Sequence, residues 1–346
     1  MTRRMAVLLM AAVLACSRMP AANPTLTAVE GILVGHHTLA ERPTGCTVIL
    51  ADGLVVAGIS QRGSAPGTRD TDLLQPVNAA DRVDAVVLSG GSAFGLDVAT
   101  GVMRWLDEGH GQWSGHPTDA VPIVSAAVLI DLWVGGKPSI RPGADCGYRA
   151  AGAASRAPVA EGSVGAGAGA TVGKLTGLDR AMKGGIGSAA VTLPDGLRVA
   201  ALAAVNALGD VVDPHSGAIV AGARADARTF ADARRLLRSG ASTVLSSLPA
   251  ENTTIAVVAT NARLTKTAVT RVAQMADAGF ARAIVPVHTI ADGDTVFALA
   301  TGTWRGTADV TTLGAAAADQ VAAAIVRAVR QATTAGGVPA ARDLPQ

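Results

Sequence analysis

The sequence predicts a layered α/β protein, and three observations carry that reading. Short apolar segments of strand length alternate with glycine-containing turns and with segments of helical spacing. Of the 346 residues, 49% are hydrophobic and 16% charged, enough to bury a sizeable core in one large domain or two smaller ones. With only 4 Trp, 1 Tyr and 4 Phe, that core must be filled by Ala, Val, Leu and Ile. Helices and strands therefore have to approach closely through small side chains.

Residues 32–34, 46–50, 54–59 and 84–88 read as strands, each a short apolar run bounded by turn residues. The last of these runs into Ser89-Gly90-Gly91-Ser92-Ala93-Phe94-Gly95-Leu96. From Asp97 to Leu106 the apolar residues Val98, Val102 and Leu106 then recur at helical spacing. This is a strand, a glycine turn and a helix. Residues 147–155 read as an Ala-rich helix, 161–173 as a Gly/Ala loop, and 187–193 and 198–206 as strands. A helix is expected at 229–237, followed by a polar connector at 239–252. Residues 253–260 and 295–300 read as strands, 265–278 and 315–333 as helices, and 336–346 as a frayed tail.

A net charge of +2 from 29 basic and 27 acidic residues, with no basic block or aromatic-basic cluster, argues against a nucleic-acid partner. Arg3 and Arg4 precede an apolar run over residues 5–15 that is too short to span a bilayer but fits a signal peptide, here residues 1–22. The expected location is therefore exported, periplasmic or secreted. Two processing routes fit: Val13-Leu14-Ala15-Cys16 resembles a lipobox, which would give a lipid anchor at Cys16, and Pro20-Ala21-Ala22 suits an ordinary signal peptidase. Translation from Met19 would instead leave the chain cytoplasmic. The three cysteines, Cys16, Cys46 and Cys146, form no C-x-x-C pair and lie beside no histidine, so no zinc site is expected. In an exported chain Cys46 and Cys146 could pair.

Several motifs fail on inspection. The run Gly165-Ala166-Gly167-Ala168-Gly169-Ala170-Thr171-Val172-Gly173-Lys174 lacks the first glycine of a phosphate loop and is followed by Leu175. Its glycines suit close backbone approach instead. Gly90-Gly91-Ser92-Ala93-Phe94 lacks the last glycine of a nucleophile elbow, and with Gly95 it is not a dinucleotide fingerprint. The six histidines, His36, His37, His110, His116, His215 and His288, contain no H-E-x-x-H, and His36-His37 reads as a surface or turn pair. Asn252-Thr253-Thr254 matches a glycosylation sequon, a pattern short enough to recur by chance.

The same residues have a second meaning. Asn252 closes a polar connector and Thr253 opens a strand, a junction that a chain can lose without losing its fold. A threonine hydroxyl is too weak an acid to attack an amide unaided. A threonine at a new N-terminus, however, carries an α-amine of pKa about 7.7–8.0 that can serve as its general base. By propensity alone, Thr253 and Thr254 are ordinary β-branched strand residues.

Several separated segments decide between these meanings: Gly31-Ile32-Leu33-Val34-Gly35-His36, Arg42-Pro43-Thr44-Gly45-Cys46-Thr47-Val48, Arg62-Gly63-Ser64-Ala65-Pro66-Gly67-Thr68-Arg69, Leu88 to Asp97, the Gly165 to Lys174 loop, Met182-Lys183-Gly184-Gly185, Val205-Asn206-Ala207 and Asn252 to Ala262. In this order and spacing, residues 28–335 resemble the DmpA-type family of L-aminopeptidase/D-esterases and β-peptidyl aminopeptidases, peptidase family S58, which are self-processing N-terminal-nucleophile hydrolases. The resemblance implies an α/β fold of the α-β-β-α sandwich type shared with ornithine acetyltransferase. It implies cleavage of Asn252-Thr253, giving a first subunit of residues 23–252 and a second of residues 253–346 that begins with the nucleophile Thr253. Asn206 falls on the family asparagine that stabilises the oxyanion. Asp292-Gly293-Asp294 falls where the family carries Ser-Gly-Glu, a pair that orients the nucleophile and its amine; two carboxylates here would raise the pKa of that amine unless one keeps a proton. Tyr148 lies near the family's active-site tyrosine, and Asp145 is the acid nearest the place where the substrate's free amine would be anchored. The implied activity is aminopeptidase hydrolysis of small peptides, amides or esters, with no metal or organic cofactor, in a homo-oligomer, a tetramer of processed protomers. Two rivals are an acyltransferase using the same nucleophile and a binding protein that does not process.

Overall fold

The computed structural model describes residues 23–110, 121–240 and 252–344. The leader with Cys16 and Met19, His116 and most of the connector before Asn252 lie outside the described residues. Ten strands build two sheets: β1 (Ile32–Thr38), β2 (Gly45–Ala51), β3 (Val56–Gln61), β4 (Gly67–Arg69), β5 (Ala85–Ser89), β6 (Val124–Val128), β7 (Gly185–Thr192), β8 (Arg198–Asn206), β9 (Thr253–Thr260) and β10 (Thr295–Ala300). The first sheet has the order β1-β2-β5-β6-β4 and the second β3-β10-β9-β8-β7. Within them β5 with β6 and β9 with β10 are parallel, and the other pairs are antiparallel.

Side-chain alternation explains how the sheets stack. In β8, Ala200, Leu202 and Ala204 join Ile255, Val257, Phe297 and Leu299 in a core shared with Ile32, Ile49 and Leu88 of the other sheet. The intervening Val199, Ala201, Ala203 and Val205 face a second core with helices α4 (Lys266–Ala276) and α6 (Val310–Gln331). Helices α1 (Val98–Asp107) and α2 (Ala144–Gly152) cover the opposite side, where Val48, Val87, Val98, Val102 and Ala150 meet. The order of layers is helix, sheet, sheet, helix. α6 is long and apolar enough to cross a membrane by length and composition, yet Leu313, Val321 and Ile325 are fully buried against the second sheet.

Small residues set the layer spacing, as the aromatic-poor composition requires. A Cβ on Gly101 would stand 1.7 Å from the Ala144 carbonyl oxygen, and one on Gly147 2.0 Å from that of Val98, so α1 and α2 touch backbone to backbone. Cys46 on β2 and Cys146 on α2 form a disulfide, with Cα atoms 6.2 Å apart, that ties this helical layer to its sheet.

Most elements lie where the sequence places them, with four corrections. The helix expected at 229–237 is the shorter α3 (Ala233–Arg238), because the Asp232 side chain caps it by accepting from the Arg234 N–H and Phe230 bridges to Arg224. α6 begins five residues earlier than expected, where Asp309 accepts from the Thr311 and Thr312 N–H groups. β6 is read as a strand nowhere in the sequence: Val-Ser-Ala-Ala-Val carries little β signal of its own and owes its place to β5 and β4. The tail is ordered as far as Leu344, since the Lys183 N–H donates to the Pro339 carbonyl at 2.8 Å and Thr334 binds Asp343.

Gly147→Ala is expected to cost about 1–3 kcal/mol by overpacking. The measurement is a lowered urea midpoint at unchanged m value; an unmoved midpoint would contradict the backbone contact between α1 and α2.

Candidate active site

Thr253 is the first residue of β9, in the middle of the second sheet, and is 3% exposed. On one side it stands opposite Asn206, the last residue of β8. On the other, the parallel ladder to β10 is extended by a bridge between Asn252 and Asp292. The Gly293 N–H donates to the Asn252 carbonyl at 2.9 Å. The Thr253 hydroxyl also donates to that carbonyl. A Cβ on Gly293 would lie 2.8 Å from Thr253 Oγ1 and 2.6 Å from the Ala65 carbonyl oxygen, so only glycine lets this turn sit against the hydroxyl.

Both flanking acids are buried. Asp294 accepts from the Thr254 N–H at 2.7 Å through one oxygen. Its other oxygen receives the His288 N–H at 3.2 Å and faces His288 Nδ1 at 2.9 Å. Asp292 accepts from the Thr289 N–H at 2.7 Å. Burial, with the neighbouring Asp294 charge second, pushes the Asp292 carboxyl up to about 6. Of the two acids, Asp292 is the one that burial disposes to keep a proton.

A further acid lies behind them. Asp277, between α4 and α5 (Ala278–Ala283), accepts from the Ser60 hydroxyl and lies 3.5 Å from Arg62 Nε. Burial lifts its carboxyl to about 6, opposed by Ser60, His288 and Arg62.

Asn206 is completely buried. Its Oδ1 accepts from the Thr171 N–H at 3.0 Å and Lys174 Nζ at 3.0 Å, while Nδ2 donates to the Ile130 carbonyl at 3.0 Å. The Asn252 carbonyl accepts from the Gly293 N–H and the Thr253 hydroxyl. Lys174, 3% exposed, also donates to the Asn206 carbonyl at 3.1 Å. The Gly/Ala loop is thus not a phosphate cradle but the carrier of Lys174 and Thr171.

Two sequence expectations fail. Tyr148 is not brought to Thr253: its hydroxyl donates to Glu108 at 2.7 Å, and the Arg104 guanidinium lies 4.5 Å from its ring centroid. The Asp145 side chain is 85% exposed and pairs with Arg104 at 3.4 Å. Both project from the outer face of α2, whose opposite face buries Cys146, Gly147, Ala150 and Ala151. His36 corrects a third reading: it lies within β1, bonded to Thr47 at 2.9 Å, and burial lowers it to about 4, so it is a neutral core histidine. The residues that sequence reasoning missed are Lys174, His288 and Asp277. The Gly165 to Lys174 resemblance contained the first of these, and no local pattern marks the other two.

The raised acids give stability a definite pH sign. Asp277 and Asp292 titrate in the folded chain above the free-carboxyl range, so their contribution is fully present below about pH 4 and is lost as the pH rises through about 6. Asp210, raised by burial, and His288, raised by its carboxylate neighbours, act in the same sense; His36 and Lys183, both lowered by burial, oppose them, and the lowered Asp213, Asp226, Asp309 and Asp343 act below that window. In the Thr253→Ala chain the Asp277 contribution should fall by about 1–3 kcal/mol between pH 5 and pH 8. Adding Asp277→Asn should flatten the denaturation curve across that range, and an equal slope in both would contradict the assignment.

Comparison with known proteins places this geometry. Residues 24–342 match the family model Peptidase family S58. An uncharacterised aminopeptidase of Mycobacterium tuberculosis is 43% identical over 345 residues, covering 92% of this chain and 97% of the relative. The 6-aminohexanoate-oligomer endohydrolase of Paenarthrobacter ureafaciens is 30% identical over 312 residues, covering 86% and 84%. Among solved structures, the L-aminopeptidase D-Ala-esterase/amidase of Ochrobactrum anthropi superposes with a TM-score of 0.68 at 21% identity over 92% and 88% of the two chains. A Burkholderia sp. β-aminopeptidase does so at 0.67 and 23% over 93% and 92%. The fold is the α-β-β-α sandwich of these N-terminal-nucleophile hydrolases, and the chain belongs to peptidase family S58.

Proposed function

We propose that the protein is a self-processing aminopeptidase that cleaves the Asn252–Thr253 bond and then uses Thr253 to hydrolyse small peptides, amides or esters. The observation that carries this reading is the Thr253 hydroxyl lying on the carbonyl of its own preceding peptide while the Gly293 N–H binds the same oxygen. Thr253 Oγ1 attacks the Asn252 carbonyl carbon, and the hydroxyl proton is the one that, in net, passes to the departing Thr253 nitrogen. The Gly293 N–H stabilises the oxygen that gains charge, the C–N bond breaks, and the Thr253 nitrogen takes a proton. Water then cleaves the ester, leaving a carboxylate on Asn252 and a free α-amine on Thr253. A donor placed on a developing oxyanion is worth about 10²–10³ in rate at comparable sites.

In the cut enzyme the amine of Thr253 accepts the proton of its own hydroxyl, the hydroxyl attacks the substrate carbonyl, and the substrate's leaving group takes the proton. Asp292 and Asp294 flank that amine and hold it in place. Asn206, braced by Lys174 and Thr171, has an amide aligned opposite Thr253 and becomes a second oxyanion donor if the Ile130 carbonyl is exchanged for substrate. The names of the relatives favour amide cleavage: aminopeptidase for the mycobacterial protein and oligomer endohydrolase for that of Paenarthrobacter. Export fits the reading as well, because a Cys46–Cys146 disulfide persists in an oxidising compartment. Residues 23–252 and 253–346 then form the two subunits of one catalytic body.

Intact mass and N-terminal sequencing of purified protein test the first step before any substrate is known. A fragment beginning Thr-Thr-Ile-Ala at Thr253 is expected, and a single chain that stays uncut on long incubation would overturn the reading. Thr253→Ala should abolish cleavage and lower turnover by about 10⁴-fold or more, whereas Thr253→Ser should retain part of both. Turnover surviving in the Ala variant would remove Thr253 as nucleophile. Products that appear only with an added amine acceptor would instead identify an acyltransferase.

A further inference from the structure

We infer that His288 is a positioning residue of this site, an imidazolium that holds Asp294 toward Thr254 and offsets the negative charge around the Thr253 amine. The inference rests on the proposed function. Three contacts reach the Asp294 carboxylate from the Thr254 and His288 side, and His288 supplies two of them, its backbone N–H and Nδ1, both on the same oxygen. To place both, His288 adopts φ = +53°, a left-handed conformation uncommon outside glycine and more tolerated by Asn, Asp and His. Its ring packs at 5.8 Å on the Phe280 ring of α5. A carboxylate partner requires Nδ1 to be the donor, which leaves Nε2 as the atom that gains or loses the proton.

The charges around it explain why a cation belongs there. Asp294 and Asp292 lie in the turn before β10, Asp277 approaches from the α4–α5 junction, and Arg62 from the end of β3, with its side chain 55% exposed. Burial opposes the charged imidazole, but the Asp294 bond and the fields of Asp294, Asp277 and Asp292 together raise its pKa above the ordinary histidine value. A catalytic amine must be neutral to accept a proton from its own hydroxyl; the Lys174 charge acts on Asp292, but without His288 the Asp294 carboxylate beside the amine would favour the ammonium. One positive charge bonded to Asp294 reduces that bias without touching Thr253.

His288→Asn separates charge from geometry, because the asparagine amide can stand where Nδ1 stood, donate to Asp294 and tolerate the positive φ. Two measurements decide the matter. The first is the rate at which p-nitrophenyl acetate acetylates the fragment beginning at Thr253, followed by mass from pH 5 to pH 10. The rising limb should move to higher pH by on the order of one unit in His288→Asn, with the plateau rate kept within a few-fold. A structural role alone would change the plateau and not the midpoint. The second is an NMR titration of the His288 imidazole in the uncut Thr253→Ala chain, where it should titrate above the exposed histidines; this needs neither maturation nor turnover, and so still decides if His288→Asn does not mature. Superimposable profiles, or an imidazole that titrates at or below the exposed histidines, would overturn the role of His288 alone. A wild-type chain that never cuts at Thr253 would overturn the proposed function and this inference with it.

Discussion

The parallel pairing of β9 with β10 is the constraint on which the site depends. It sets Ile255 against Thr295 and, three residues before the regular ladder begins, Asn252 against Asp292. The first residue of one strand and the turn that enters the other are thereby forced together. Strand β8 on the far side places Asn206 across from Thr253 by the same kind of register. A one-residue slip would turn these side chains to the opposite face. Such a slip is opposed by burial on both faces of β9, where Ile255, Val257 and Ala259 pack between the sheets and Ala256 and Val258 pack against the helices. The position of Thr253 is thus a product of core packing rather than of a local motif.

Buried charges complete what the ladder begins. Arg42 and Asp131 form an ion pair at 3.0 Å with neither side chain exposed, and Asp131 also accepts from the Gly91 N–H and the Thr44 hydroxyl. Lys183, pushed down to about 7 by burial, donates to the Ala168 and Ala170 carbonyls. These contacts fix the segment carrying the Ile130 carbonyl and the loop carrying Thr171 and Lys174, three groups that hold Asn206 among the described residues. A buried pair of this kind is weak evidence for net stability and would be strongly destabilising if broken on one side. Its value here is geometric, because it braces the Asn206 side of the site independently of the acidic side.

How much of this was legible in the sequence follows from how local each feature is. The strands at 46–50, 84–88, 198–206, 253–260 and 295–300 announce themselves as apolar runs, and the Asp292-Gly293-Asp294 turn is marked by its glycine. The junction before Thr253 is legible as a polar connector meeting a buried strand. His288 and Asp277 are not legible, since one sits alone in a turn and the other at a helix end, and only tertiary contact gives either a role. Lys174 was hidden by its resemblance to a phosphate-loop lysine. Tyr148 and Asp145 were misplaced for a reason the sequence did contain: Cys146, Gly147, Ala150 and Ala151 are the apolar stripe of a helix, which leaves 145 and 148 on the outside.

The uncut junction has one further property that bears on why cleavage would occur here. Asn252 is 1% exposed, and neither its side-chain oxygen nor its nitrogen has a hydrogen-bond partner among the described residues. Leaving a buried polar group unsatisfied costs about 1–3 kcal/mol, so the intact chain carries a penalty located at the residue whose carbonyl Thr253 contacts. Burial equally prevents Asn252 from serving as a glycan acceptor, which disposes of the sequon. After hydrolysis the new carboxyl terminus is no longer bound to β9 and can carry the Asn252 amide into water. If the chain is cut as proposed, the buried amide favours the cut state over the uncut one, while the Gly293 N–H and the Thr253 hydroxyl lower the barrier between them. Thermodynamic bias and catalytic geometry converge on a single peptide bond, and on this reading the sequence needs no external protease to mature.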